Sequence, residues 1–155
     1  MGKYNITPIT NQPVTIFCDH SIDHSKGASS ASRQHRILCV DDEKVGTQLR
    51  ADIFKECGYS VAIFHSPLAA LGCDFSTFSL AIIDFCMPEL NGLELLSRMR
   101  ALGASFPIVL LTGSSEMLSP EDRMLFTQCI DKSRPIDHLL ETISELLTFP
   151  SDSKP

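Results

Sequence analysis

From Arg36 onward the chain alternates short apolar runs with longer stretches whose apolar residues recur every three or four positions. The short runs are "RILCV", "YSVAIF", "SLAIID", "PIVLLT" and "CID". Runs of this length without strict alternation predict strands covered on both faces, as in a parallel sheet flanked by helices. The intervening stretches predict the helices. "EKVGTQLRADIFKECG" places Val45, Leu49, Ile53 and Cys57 on one face and ends at Gly58, a helix stop. "SPLAALGC" and "SPEDRMLFTQ" each open with Ser followed by Pro, a favourable N-cap and first helical residue. "NGLELLSRMRALG" spaces Leu93, Leu96, Met99 and Arg100 helically and stops at Gly103. "PIDHLLETISELL" aligns Ile136, Leu139, Leu140, Ile143 and Leu147 in a closing amphipathic helix. Five strands alternating with five helices predict an α/β fold with a doubly wound parallel sheet.

Residues 1 to 34 carry no such period. They hold Pro8, Pro13, Gly27 and the polar run "SKGASSASRQ", and predict a flexible extension. The folded unit is expected over residues 35–149, with a short tail at 150–155.

Composition narrows the function classes. A length of 155 residues suits one domain. The net charge of −6, with no basic cluster, argues against a nucleic-acid partner. No apolar run approaches the roughly 20 residues of a membrane span. The N-terminus has neither a signal-peptide pattern nor the Ser or Thr that myristoylation wants at residue 6. The expected location is cytoplasmic. The six cysteines then read as reduced thiols acting as small hydrophobes. The run "CDHSIDH", with Cys18, His20 and His24, falls short of the four spaced ligands of a zinc site and reads as polar tail.

The chemistry lies where the strands end. In parallel α/β sheets ligands bind outside the carboxyl ends of the strands. The first predicted strand ends in Asp41-Asp42, the third in Asp84, the fourth in Thr112 and the fifth in Asp131-Lys132. Acids this close repel one another and lose solvation unless a cation joins them. Carboxylates without a neighbouring thiolate or imidazole ligand suit a hard ion such as Mg²⁺. A Lys and a Thr hydroxyl beside such an ion suit a phosphoryl group, and an Asp there can be its acceptor. Glu43 reads as first-turn helix charge.

Asp41-Asp42, then "IIDFCMPELNGLEL" with Asp84, "IVLLTG" with Thr112, and Lys132 resemble the receiver domain of two-component response regulators over residues 36 to about 148. The resemblance implies a flavodoxin-like sheet in strand order 2-1-3-4-5, and that family supplies the known example of this order. It also implies that Asp84 is the phosphoacceptor. Asp42, Asp84 and the backbone carbonyl of Cys86 would be direct Mg²⁺ ligands, with Asp41 acting mainly through water. Lys132 would pair with the acceptor, and Thr112 would turn to its phosphoryl group. Met87-Pro88 and Asn91-Gly92 would shape the adjoining loop. Implied partners are a sensor histidine kinase or histidine phosphotransfer protein and a downstream protein target.

Three features depart from the family pattern. Cys129 stands where an aromatic switch residue is usual, three positions before the Lys. Ser133 stands where Pro, often cis, is usual; a cis Lys132-Ser133 bond would cost about 3–4 kcal/mol and survives only if the site enforces it. Only "TFPSDSKP" follows the last predicted helix, so a lone receiver is expected, acting by docking or phosphorelay. The competing readings are a degenerate receiver that binds a partner constitutively and a Mg²⁺-dependent phosphatase. The latter wants a second Asp where Cys86 stands.

Overall fold

The computed structural model describes residues 34–148. The extension expected over residues 1–34 therefore lies, Gln34 apart, outside the described residues, as do the Cys18, His20, His24 run and the tail at 150–155.

Five strands form one parallel sheet in the order β2-β1-β3-β4-β5. They are β1 (Arg36–Val40), β2 (Ser60–Phe64), β3 (Leu80–Ile83), β4 (Ile108–Thr112) and β5 (Gln128–Asp131). The helices are α1 (Lys44–Glu56), α2 (Pro67–Ala70), α3 (Gly92–Ala101), α4 (Pro120–Arg123) and α5 (Ile136–Thr148). The expected doubly wound architecture and strand order are both present.

Successive strand residues point to opposite faces, and each face has its own core. Leu38, Val40, Ala81, Ile83, Ile108 and Leu110 pack with Leu95, Leu96 and Met99 of α3. Ile37, Cys39, Leu80, Ile82, Val109 and Leu111 pack on the other side with Phe54 of α1 and Leu139 and Ile143 of α5. Burial of both faces explains why these strands read as unbroken apolar runs. Each fully buried Leu or Ile contributes about 1.5–3 kcal/mol. Cys39 belongs to this core as a small hydrophobe. Burial pushes its thiol up to about 12, with Arg50 opposing and Asp41 reinforcing the shift. The described cysteines form no disulfide among themselves.

Two helical readings need correction. The face of α1 that packs is Thr47, Ala51 and Phe54, whereas Val45 is 79% and Leu49 63% exposed. The two stripes share the same period, and Phe54 is the larger anchor. Ser66 and Ser119 cap α2 and α4 as expected, but each helix has only 4 residues. After α4 the chain tightens into i→i+3 bonds, Leu125 N–H to Asp122 and Phe126 N–H to Arg123. That turn delivers Phe126 to the core and leaves Met124 and Leu125 exposed. Among the described residues every peptide bond is trans, Lys132-Ser133 included.

Candidate functional site

Strand register brings the acids together. Val40 pairs with Ile83, so the residues that follow, Asp41 and Asp84, leave the sheet side by side. Their backbones are tied in place: Asp41 N–H donates to the Phe64 carbonyl at 3.1 Å, and Asp84 N–H to the Val40 carbonyl at 2.9 Å. Thr112 ends β4, and Lys132 N–H donates to its carbonyl at 2.9 Å. Four adjacent strands thus place Asp41, Asp84, Thr112 and Lys132 on one edge.

Asp41 and Asp84 are buried, at 4% and 6% exposure, while Asp42 faces solvent. One carboxylate oxygen from each of the three lies within 4.8 Å of the others. An octahedral Mg²⁺ with bonds of about 2.1 Å sets neighbouring ligands about 3 Å and opposite ligands about 4 Å apart. The trio is close enough for one ion to draw its oxygens into that geometry. Its all-oxygen donor set also fits a hard cation.

Lys132 Nζ stands 2.9 Å from Asp41 Oδ2 and 3.2 Å from Asp84 Oδ1. Partial burial pulls its ammonium down. The hydrogen bond and charge of Asp41, and then Asp84, outweigh that and raise it above the ordinary value. Burial raises the Asp84 carboxyl; Lys132 opposes the shift and Asp41 adds to it. Thr112 is 1% exposed, and its Oγ1 accepts from Ser114 N–H at 3.1 Å.

The loop after β3 frames the site. Cys86 is exposed two residues past Asp84. Asn91 caps α3 in a capping box with Glu94. Gly92 packs so tightly that a Cβ there would lie 2.6 Å from the Asp84 carbonyl oxygen. Glu89 adopts a φ of 72°, a left-handed conformation unusual outside Gly and Asn, and its carboxylate accepts from Ser66 Oγ at 3.0 Å. Glu43 is more than first-turn charge. It is the N-cap of α1, and its carboxylate accepts from Val45 and Gly46 N–H. The Asp131 carboxylate accepts from Ser133 N–H at 2.8 Å. Cys129 Sγ lies 3.6 Å from the Arg123 carbonyl, half-buried against the α3-side core.

Sequence reading missed three participants. Arg50 Nη2 donates to Asp41 Oδ2 at 2.7 Å and to Thr47 Oγ1 at 3.0 Å. His65 Nδ1 lies 2.9 Å from the Asp41 carbonyl. The i, i+3 spacing of Thr47 and Arg50 was a usable signal only once the packing face of α1 was known. Asp41, Arg50, Thr47 and Asp84 border a cavity of about 10 Å³, enough for one water.

Residues 37–144 match the response regulator receiver domain family. The chain belongs to this family, whose members are signalling domains of two-component systems that bind Mg²⁺ through acidic residues and are phosphorylated by sensor histidine kinases. It is 35% identical over 79 residues to the uncharacterised transcriptional regulatory protein YkoG of Bacillus subtilis, covering 50% of this chain and 34% of that protein. It is 30% identical over 125 residues to the sensor protein GacS of Pseudomonas syringae, covering 77% of this chain and 13% of that one. The chain thus spans 34% and 13% of the length of these two relatives. Among solved structures it resembles the response regulator TrrA of Thermotoga maritima in complex with Mg²⁺ and BeF, with a TM-score of 0.68 and 32% identity, covering 74% of this chain and 100% of that one. A CheY-like receiver domain protein of Methanospirillum hungatei gives a TM-score of 0.65 at 29% identity, covering 74% of this chain and 94% of that one. Among the described residues no helix is long and apolar enough to cross a membrane.

Proposed function

We propose that this chain is a phosphorylatable signalling module of the cytoplasm. It would take a phosphoryl group on Asp84 from a sensor histidine kinase or a histidine phosphotransfer protein, and act by docking to a target protein or by passing the group on. The observation that carries the reading is the placement of Asp84, buried at a central strand end, 3.2 Å from Lys132 and within one cluster with Asp41 and Asp42.

In the transfer, an Asp84 carboxylate oxygen bonds to phosphorus while the bond from phosphorus to the donor nitrogen breaks, and that nitrogen keeps the electron pair. Lys132 balances the oxygens' charge and holds the carboxylate in line. Thr112 would turn to donate a hydrogen bond from its hydroxyl to a phosphoryl oxygen. Asp42, Asp84 and the Cys86 carbonyl would hold Mg²⁺, whose chemistry is to neutralise phosphoryl oxygens. Asp41 suits a water-mediated role, since both its oxygens already accept hydrogen bonds.

Acetyl phosphate with Mg²⁺ should add one phosphoryl mass to the intact chain, and Asp84→Asn should abolish it. An equal adduct in that variant would overturn the assignment. Multiple turnover of a small phosphate ester would instead favour a phosphatase. Absence of any adduct would favour a constitutive binding module.

A further inference from the structure

Asp41 carries two cations on one oxygen. Arg50 Nη2 stands 2.7 Å and Lys132 Nζ 2.9 Å from Asp41 Oδ2. The other oxygen accepts from Glu43 N–H at 2.9 Å. A carboxylate offers about four lone-pair sites, so most of this one's capacity is taken within the protein. Lys132 has a second carboxylate in reach, Asp84. For Arg50, by contrast, Asp41 is the acid it pairs with at salt-bridge distance.

The guanidinium is held in place. Nη2 also donates to Thr47 Oγ1 at 3.0 Å, and that hydroxyl donates to the Glu43 carbonyl at 2.7 Å. Thr47 is 1% exposed and the Arg50 side chain 20%. Gly46 leaves room on the same turn, since a Cβ there would come within 3.2 Å of Arg50 Nη1. With Nη2 shared between Asp41 and Thr47 the guanidinium is held against the acid, and a half-buried pair is screened less by salt than an exposed one.

The charge balance makes this contact consequential. Three carboxylates face Lys132 and Arg50, leaving one net negative charge. Without Arg50 the same cluster carries two. A dication entering the cluster meets a neighbouring positive charge and a carboxylate oxygen already engaged. The metal-free protein, in turn, avoids unrelieved repulsion between acids.

We propose that Arg50 is a built-in counter-cation of the acidic site, competing with a divalent ion for Asp41 and thereby setting how tightly the site takes Mg²⁺. The proposal rests on reading the acids as a Mg²⁺ site. Arg50 thus acts as a positioning residue for Asp41, and it opposes the ion while supporting the metal-free fold.

The test is calorimetric titration of the full chain with MgCl₂, paired with thermal melts in EDTA and in saturating Mg²⁺. Arg50→Met should bind Mg²⁺ more tightly, on the order of tenfold, as expected for removing one nearby charge at intermediate dielectric. Its melting temperature should fall in EDTA, and the gap to wild type should narrow in Mg²⁺. Arg50→Lys should lie between the two. In an Asp41→Asn background, Arg50→Met should change Mg²⁺ affinity much less. Unchanged or weaker affinity in Arg50→Met, with wild type binding measurably, overturns the proposal and leaves the metal reading intact. An undiminished gain in the Asp41→Asn background also overturns it, because the effect would then bypass Asp41. Failure of wild type and variants alike to bind Mg²⁺ removes both. Should Arg50→Met not fold, Thr47→Val decides the matter: releasing the guanidinium should tighten Mg²⁺ binding, and no change overturns the proposal.

Discussion

Lys132 Nζ stands 3.2 Å from Asp84 Oδ1, yet the Asp84 carboxyl titrates above its ordinary value of 3.8, not below it. Burial penalises the charged form by more than Lys132 favours it, and the negative charge of Asp41 adds to the penalty. The folded pKa therefore exceeds the unfolded one. For an acid this means that ionisation works against the fold: the contribution is most favourable below the unfolded pKa and is lost as pH rises through the raised folded value. In metal-free protein, Asp84→Asn should raise the melting temperature at pH 7 by a few degrees, on the scale of about 2–8 °C per kcal/mol. The gain should vanish near pH 3, where Asp84 is protonated in both states. A melt series in EDTA from pH 3 to 7 checks this. A variant that melts below wild type at pH 7 would show that the Lys132 contact outweighs burial.

Two glycines separate a rigid constraint from a soft one. A Cβ at Gly92 would lie 2.6 Å from the Asp84 carbonyl oxygen and 3.1 Å from Phe85 Cα, both fixed backbone. A Cβ at Gly46 would lie 2.3 Å from Glu43 Oε2, the far end of the capping side chain rather than backbone. Gly92→Ala should cost roughly 1–3 kcal/mol, as overpacking does, and should slow phosphorylation of Asp84 by displacing its backbone. Gly46→Ala should be within about 1 kcal/mol of wild type, because the gain in helix propensity offsets a disturbed cap. Urea unfolding of both variants checks the contrast; equal losses would refute it.

The strands were legible because burial on both faces leaves an apolar run that few other structures produce. "RILCV" is β1 to the residue, "SLAIID" runs one position past β3 at each end, and the other three differ by one position at one end. The acidic site was legible for a related reason: Asp41, Asp84, Thr112 and Lys132 each follow or end such a run. The α1 face was not. Val45, Leu49 and Ile53 recur every four residues, as do Thr47 and Ala51, and choosing between the stripes depends on how the helix rolls against the sheet. Arg50 was lost with that choice, since its meeting with Asp41 is a tertiary contact nine residues long. The brevity of α4 was hidden as well, because "MLF" has helical composition but is drawn into a turn when Phe126 enters the core.

The two members of the acidic pair should differ toward Mg²⁺. Asp42 is exposed, and no hydrogen bond to its carboxylate is found among the described residues, whereas Asp41 is engaged by Arg50, Lys132 and the Glu43 N–H. Asp42→Ala should weaken Mg²⁺ binding about tenfold or more, the loss of one direct ligand. Asp41→Ala should weaken it less, because the ion loses an indirect contact. Calorimetric titration of both variants tests the order. Equal affinities would remove the distinction.

The site reaches the surface through Thr112. Thr112 Oγ1 accepts from Ser114 N–H, so turning that hydroxyl toward a phosphoryl group on Asp84 releases the Ser114 amide and the turn at Ser115–Met117 behind it. Beyond that turn the path runs to α4 and β5, where Cys129 stands against the core and near the Arg123 carbonyl. Burial raises its thiol, with Arg123 opposing, so it stays neutral, and a thiol is a weak hydrogen-bond partner. Its rotamers differ little in what they gain, and an equilibrium shifts only by a differential interaction with its two states. Beryllofluoride with Mg²⁺ should therefore produce amide shift changes centred on residues 113–119, with small changes from 129 to 147. Cys129→Tyr gives that position a bulky ring and a hydroxyl that inward and outward rotamers place differently, so it should spread the changes into β5 and α5. Large wild-type shifts throughout residues 129–147 would show that another element carries the signal.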